Sequence, residues 1–431
     1  MLTAAPLTRT VTARTSTARP VRPTGVRAAT RPRIVAPTLG IADSPAAAVF
    51  RAAAAGGPIY RDDATRVSGA SIATVNRHVS AMLSAELLRE RPDLSVSGAI
   101  GRPRIPFEVN HERFVTIGIH IGAIVTSVIA SDLRGRLLGA AEIPTPRGAS
   151  DAALSTITSS ARGFAARWHR RRPLWVGVAL GGRVDPETGV VDHARLGWTG
   201  ARVGDVVGAG FGLPVSVAAH VEAMAASELL LTPQRAENTE ARGSGLYFYA
   251  RETVGLALTL DGKVHTPTAG PGSVAHLPTD STVLCECGAT GCLEAAVSDR
   301  GVLRAAQQAG ILPAGDDLPP IAALYRQARD GSVAAQDILS ERARILGRSV
   351  AMLRDLFNPD RVTLGGQAFT DYPEAVPHVA QALSKASRAG SSDVRITGFG
   401  NRVQEHAAGV VSLSSLYSNP LVAMRKATAL A

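Results

Sequence analysis

The chain has 431 residues, with 46 Lys and Arg against 36 Asp and Glu, a net charge of +10 and 45% hydrophobic residues. That length predicts two or three domains with sizeable cores, and the basic balance predicts an anionic partner. Only three cysteines occur, which excludes a disulfide scaffold, and no apolar run at the N-terminus has the length of a secretion signal. All but three of the basic residues are Arg, the exceptions being Lys263, Lys385 and Lys426, as coding from a GC-rich genome produces.

Residues 1–42 carry Arg9, Arg14, Arg19, Arg22, Arg27, Arg31 and Arg33 and no acidic residue. Thr, Ala and Pro fill the gaps without apolar periodicity. The segment is expected to be a disordered basic arm, adding sequence-independent attraction to phosphates.

Residues 43–109 read as a winged helix-turn-helix. An Ala-rich helix over 45–55 stops at Gly56-Gly57-Pro58, a second covers 60–68, and Gly69-Ala70 makes the turn. Ser71 is then placed to cap a third helix over 72–85. On it Val75, Val79, Met82 and Leu83 form one buried stripe. The other face carries Thr74, Asn76, Arg77 and Ser80, which together with Ser71 suit base edges and phosphates. Gly101-Arg102-Pro103-Arg104 falls where a wing is expected, and Arg102 and Arg104 suit a narrow A·T-rich minor groove.

The uncharged run FVTIGIHIGAIVTSVIAS (114–131) has the length of a membrane span. It is rich in β-branched residues and interrupted by Gly118 and Gly122, so two buried strands joined by a turn are expected. Further on, VGVALGGRVDPETGVV (176–191), LPVSVAAHVEAMAASELL (213–230) and LFNPDRVTLGGQAF (356–369) each pair an apolar strand with a turn or helix.

The densest signal is His276 followed by Cys285, Cys287 and Cys292, in the spacing His-x8-Cys-x-Cys-x4-Cys. Every cysteine of the chain lies within it. Three thiolates and an imidazole complete a tetrahedral set with no open position, which predicts a structural zinc site.

Cys285-Glu-Cys-Gly-Ala-Thr-Gly-Cys292-Leu-Glu294 resembles the zinc signature CxCGxxGCxE of the ROK family, whose members are repressors and sugar kinases. Residues 176–191 are similar to the family's Gly-rich turn and VDPETG segment, and 356–369 to its late strand and GG turn. SIATVNRHV resembles the recognition helix of its repressors, and the GRP segment their wing. The resemblance spans roughly residues 112–420. It implies an α/β chain: an N-terminal winged helix-turn-helix followed by a two-lobed, actin-like body of the sugar-kinase and Hsp70-type ATPase class. The lobes would be 110–231, completed by helices within 404–431, and 232–403 with the zinc.

The resemblance also says what a kinase would need. The family's DxGGT reads His120-Ile-Gly122-Ala123-Ile124 here. Its Asn-Asp pair, whose Asp draws the sugar hydroxyl proton, falls on Ala219 and His220. Its ExGH reads Ser273-Val-Ala-His276, and its Gly-rich phosphate loop is Ala250-Arg251-Glu252-Thr253-Val254-Gly255-Leu256. The remaining cleft candidates are Gly182, His220, Ser273 and Glu294. The expected function is therefore a bacterial, cytoplasmic, nucleoid-associated transcriptional repressor that binds double-stranded operator DNA as a homodimer or higher homo-oligomer, without catalysis. Its effector would be a sugar or sugar derivative. The competing reading, an ATP-dependent hexose kinase with an appended DNA-binding domain, conflicts with Ile124, Ala219, His220 and Ser273.

Overall fold

The structure is a computed structural model describing residues 33–95, 104–232, 243–267, 270, 272–315, 317–388 and 393–430. The head comprises α1 (Pro45–Gly56), α2 (Arg61–Ser68), α3 (Ile72–Ser84), β1 (Leu88–Glu90) and β2 (Phe107–Val109). Ser44 caps α1 and Ser71 caps α3, each accepting a backbone N–H of its first turn. Gly69 takes the left-handed conformation at φ 63°, ending α2 so that α3 can turn away. β1 and β2 pair antiparallel, with Leu88 opposite Val109. The residues between them that include Arg102 lie outside the described residues.

The first lobe holds β3 (Phe114–Ile121), β4 (Val125–Ser131), β5 (Leu137–Pro144), α4 (Ser150–Ala165) and β6 (Arg172–Leu180). A side hairpin sheet, β7 (Arg183–Asp185), β8 (Val190–His193) and β9 (Trp198–Arg202), precedes α5 (Val203–Phe211) and β10 (Val215–Ala219). The run 114–131 is thus two strands and a turn, and β3 is buried at every position, as a strand covered on both faces must be. Helix α6 (His220–Leu230) leads into the second lobe. There β11 (Ser244–Ala250), β12 (Val254–Leu260) and β13 (Lys263–Val264) are followed by α7 (Leu293–Val297), α8 (Asp299–Gln308), α9 (Ala322–Arg329) and α10 (Val333–Phe357). The chain closes with β14 (Arg361–Gly365), α11 (Gln367–Thr370), α12 (Val376–Ala386), β15 (Asp393–Ile396), α13 (Val403–Ser418) and α14 (Pro420–Leu430).

The two large sheets share one topology. Their orders are β5-β4-β3-β6-β10 and β13-β12-β11-β14-β15, each with an antiparallel meander followed by two parallel additions. This duplication is the actin-like arrangement. Between the lobes, α6 and α13 share an apolar core with Tyr247 and Tyr249 of β11. Helix α13 lies directly on the first sheet, because a Cβ on Gly177 would come within 2.2 Å of the Ser412 backbone nitrogen. No helix among the described residues is long and apolar enough to cross a membrane.

Two features depart from the order of domains along the sequence. First, the head is not a free module. Phe50, Val79, Met82 and Phe107 belong to one core with Trp175, Leu413, Tyr417 and Met424 of the body. Buried Glu108 on β2 reinforces the junction, meeting Arg89 at 2.7 Å, Arg91 at 3.0 Å and Arg134 of the β4–β5 turn at 2.8 Å. Burial opposes ionisation there, yet the Arg89 and Arg91 guanidinium groups hold the carboxyl below its usual range.

Second, residues 33–41, which fall within the segment expected to be disordered, are ordered; residues 1–32 lie outside the described residues. Residues 33–41 form an ordered strap across the lobes. Val35 donates to Val215 O at 2.8 Å and Val215 donates back to Arg33 O, extending the first sheet beyond β10. Val264 donates to Leu39 O and Ile41 to Gly262 O, both at 2.9 Å, which tie the other end to the second sheet. Ser216 Oγ donates to Val35 O and itself accepts from Trp175 Nε1. Ordering this strap satisfies backbone groups of two edge strands, a gain that local composition does not reveal.

Candidate functional sites: recognition helix, metal centre and cleft

Helix α3 turns Val75, Val79 and Met82 into the head's core, with Leu83 half-buried beside them. Asn76, Arg77 and Ser80 are exposed on its outer face. Ser71 accepts from Thr74 N at 3.3 Å and lies 3.1 Å from Thr74 Oγ1, so both residues shape the start of α3. Ile72, which sequence reading passed over, is 47% exposed in the first turn beside them. Arg104 has partners within the head. Its guanidinium pairs with Asp62 of α2 and lies 5.4 Å from the Tyr60 ring centroid. It anchors the returning strand on the head; Arg102 lies outside the described residues.

The metal candidates converge. The ligand atoms of His276, Cys285, Cys287 and Cys292 all lie within 4.8 Å of one another, with Cys285 Sγ 3.7 Å from His276 Nδ1 and Cys287 Sγ 3.6 Å from Cys292 Sγ. A tetrahedral ion with metal–sulfur bonds of about 2.3 Å separates its thiolates by about 3.8 Å, close to the Cys287–Cys292 separation, so the set is spaced to suit a metal. The loop is built for this. Cys285 N donates to Ala289 O and Gly288 N to Cys285 O, folding the first two thiols together. Cys292 is the N-cap of α7 and bridges back to Pro278, which brings the third thiol alongside them. The cluster can hold a metal.

The cleft carries a different set of groups from a kinase. His220 opens α6 directly after Ala219 ends β10. Its ring stacks 5.8 Å from His120 and lies 5.5 Å from Tyr249. Burial, then the neighbouring His193, lowers His220 to about 4, and burial also pushes His120 well below its ordinary value. His193 is lowered by burial, and its Nδ1 accepts from Leu196 N at 3.3 Å, leaving the proton on Nε2. All three rings are neutral at pH 7. Because the unfolded chain takes up these protons near pH 6.5, the stability they contribute is complete above that pH. It falls as the pH drops towards 4. Denaturant melts at pH 7.5 and 5 are expected to show this loss, and His120→Gln should flatten it.

The other candidates are engaged structurally. Glu294 accepts from Val254 N at 3.0 Å and pairs with Arg195, so its carboxylate is held in place by both lobes. Arg195 comes from the first lobe and also donates to Glu252 O at 2.9 Å, so it latches the second lobe across the cleft. No motif announced Arg195. Gly182, at φ 85°, is required by the backbone, since a Cβ there would lie 2.2 Å from Asp192 O. Ser273 Oγ accepts from Ala275 N at 3.3 Å. Ile124 is 57% exposed at the β3–β4 turn. Where a phosphate loop would run, Arg251 N donates to Thr253 O in a tight turn. Its guanidinium donates to Gln404, which donates in turn to Tyr249 Oη at 2.7 Å.

A helix-turn-helix head fused to a duplicated, kinase-like body defines a class of transcriptional regulators. The chain belongs to the ROK family, whose description matches residues 116–417. It is 54% identical over 404 residues to the Mycobacterium tuberculosis protein named transcriptional regulator Rv0485, covering 92% of this chain and 91% of that one. It is 24% identical to the DNA-binding transcriptional repressor Mlc of Escherichia coli, over 74% and 80% of the two chains. Its fold matches the crystal structure of a ROK family transcriptional regulator, a homologue of the E. coli Mlc protein. There the TM-score is 0.73 and the identity 23%, covering 89% of this chain and 98% of that chain.

Proposed function

We propose that this transcriptional regulator acts as a repressor whose head lays α3 in the major groove of operator DNA while its body works without catalysis. The observation that carries the reading is the outer face of α3. Asn76 and Arg77 are exposed on a helix whose opposite side is locked into the core, so their side chains are presented rather than packed. Asn is suited to adenine and Arg to guanine, each in a bidentate pair. The relative named DNA-binding transcriptional repressor Mlc supports the reading as a DNA-binding repressor. Two heads on a symmetric homodimer would span half-sites about one or two helical turns apart. Zinc is the metal best suited to the closed His/Cys3 set, where it would hold the loop around α7 and supply no chemistry. Footprinting with wild-type chain and Arg77→Ala tests the DNA-binding reading.

The cleft supports a sensor or scaffold. Proton abstraction from a sugar hydroxyl needs a base poised near the working pH. At the family's base position stands a neutral imidazole lowered to about 4, and Ala219 offers only a methyl group, with no polar atom to hold the sugar. With ATP and magnesium, glucose and N-acetylglucosamine are therefore expected to give no detectable sugar phosphate. His220→Asp alone should not rescue turnover, because Ile124 and the Arg251 turn still occupy the phosphate side. A coupled assay with either protein reads this directly, and measurable turnover by the wild type would contradict it.

A further inference from the structure

A cavity of about 380 Å³ lies away from the cleft, at the junction of head and body. Helix α1 supplies Ala48 and Arg51, the β4–β5 turn Arg134 and Arg136, the end of α6 Leu230, and α13 His406. Its size falls within the range of small-molecule sites, about 300–1,000 Å³. Among the described residues three arginines line it and no Asp or Glu does.

Those cations are incompletely matched. Arg134 gives one nitrogen to Glu108, but its Nε is buried without a hydrogen-bond partner among the described residues; beside it the Nδ1 of His406, a ring that burial lowers to about 4, is likewise unpaired among them. Arg51 donates one long bond, 3.4 Å, to Tyr417 O. Burial lowers Arg51 from its ordinary value, and Asp43, which opposes that shift, also faces Lys263 at 3.7 Å. Cationic donors gathered around an apolar wall repel one another and are stabilised when an anion enters. The wall of Ala48 and Leu230 adds a surface for a hydrocarbon body.

We propose that this cavity is an effector site for a small amphipathic anion, a carboxylate or phosphate head on an apolar body, separate from the sugar-kinase cleft. The head group meets Arg51 and Arg136, while the body lies against Ala48 and Leu230. Because α1 forms one wall and the β4–β5 turn another, occupancy changes the packing that sets the head on the body. The ligand thereby reaches DNA binding without passing through the cleft.

Calorimetry on the full chain, with octanoate, octyl phosphate and octan-1-ol each below its aggregation limit, tests this. At least one anion is expected to bind saturably, one per chain, with tenfold or greater preference over the alcohol. The stronger anion identifies the head group. Arg51→Gln should weaken that binding about tenfold, and Ala48→Phe, which fills the cavity, should abolish it. If Ala48→Phe fails to fold by circular dichroism, Arg51→Gln alone decides. Absence of binding by both anions, equal binding of the alcohol, or undiminished binding in folded variants would overturn the proposal. These measurements need no DNA, so they stand apart from the assignment of α3. If α3 does bind operator, the bound anion should also change operator affinity threefold or more, and an unchanged affinity would overturn the coupling.

Discussion

Cys287→Ser is expected to strip the metal from the second lobe and to lower the unfolding midpoint by roughly 5–10 °C, the equivalent of more than about 3 kcal/mol. The reason is geometric. Cys287 reaches Cys292 at 3.6 Å, and Cys292 in turn caps α7, which carries Leu293 and Val297 into the core of the lobe. Without a cation, burial and the neighbouring thiols push Cys292 up to about 12, while hydrogen bonds from the Ala289 backbone and the other thiols bring Cys287 down to about 7; a dication favours the thiolate form of the whole set. Removing one ligand leaves the loop closed only by a few backbone bonds such as Cys285 N to Ala289 O. Elemental analysis should find about one zinc per wild-type chain and almost none in the variant. Glu286→Gln is the control, because Glu286 lies in the same loop but pairs outward with Arg300. Loss of metal and stability in both variants, or in neither, would contradict the assignment.

The helix-turn-helix and the metal cluster were legible because their signals are local. Ser71 before a stripe at i, i+4 and i+7 defines α3 within thirteen residues, and the thiols define their own cluster by spacing. The strands within 114–131 were legible for the same reason, their β-branched residues flanking two glycines. The strap was not. Ile34, Val35, Leu39 and Ile41 sit among Arg, Pro and Thr, and the edges they complete lie at residues 215 and 262–264. Nor did spacing disclose that Arg104 is taken up by Asp62 and Tyr60, or that Glu294 is taken up by Arg195, ninety-nine residues away. Pairings at such separations depend on the folded topology, so a residue that matches a motif can still be consumed by a partner the motif does not contain.

The second large effect belongs to α3. Arg77→Ala should weaken binding to an operator roughly 10- to 100-fold, about 1–3 kcal/mol, while binding to random duplex changes little. Arg77 has no fold-stabilising ion pair among the described residues, and the helix beneath it is fixed by Val75 and Val79, so its removal should leave the melting temperature unchanged. Ser71→Ala should act differently. Losing the cap on Thr74 N costs about 1 kcal/mol of stability and misplaces the first turn, so it should lower affinity and melting temperature together. A variant that lost specific and non-specific binding equally would place Arg77 on phosphate instead of a base edge.

The most direct test of a regulator that reads DNA through α3 is genome-wide mapping of bound sites for wild-type chain and the Asn76→Ala, Arg77→Ala double variant, expressed at equal levels in the native host. The account predicts a small set of sharp sites sharing one two-fold-related sequence, all lost in the double variant although the protein stays folded and abundant. The same sites retained by the double variant, or no discrete sites for the wild type, would contradict it.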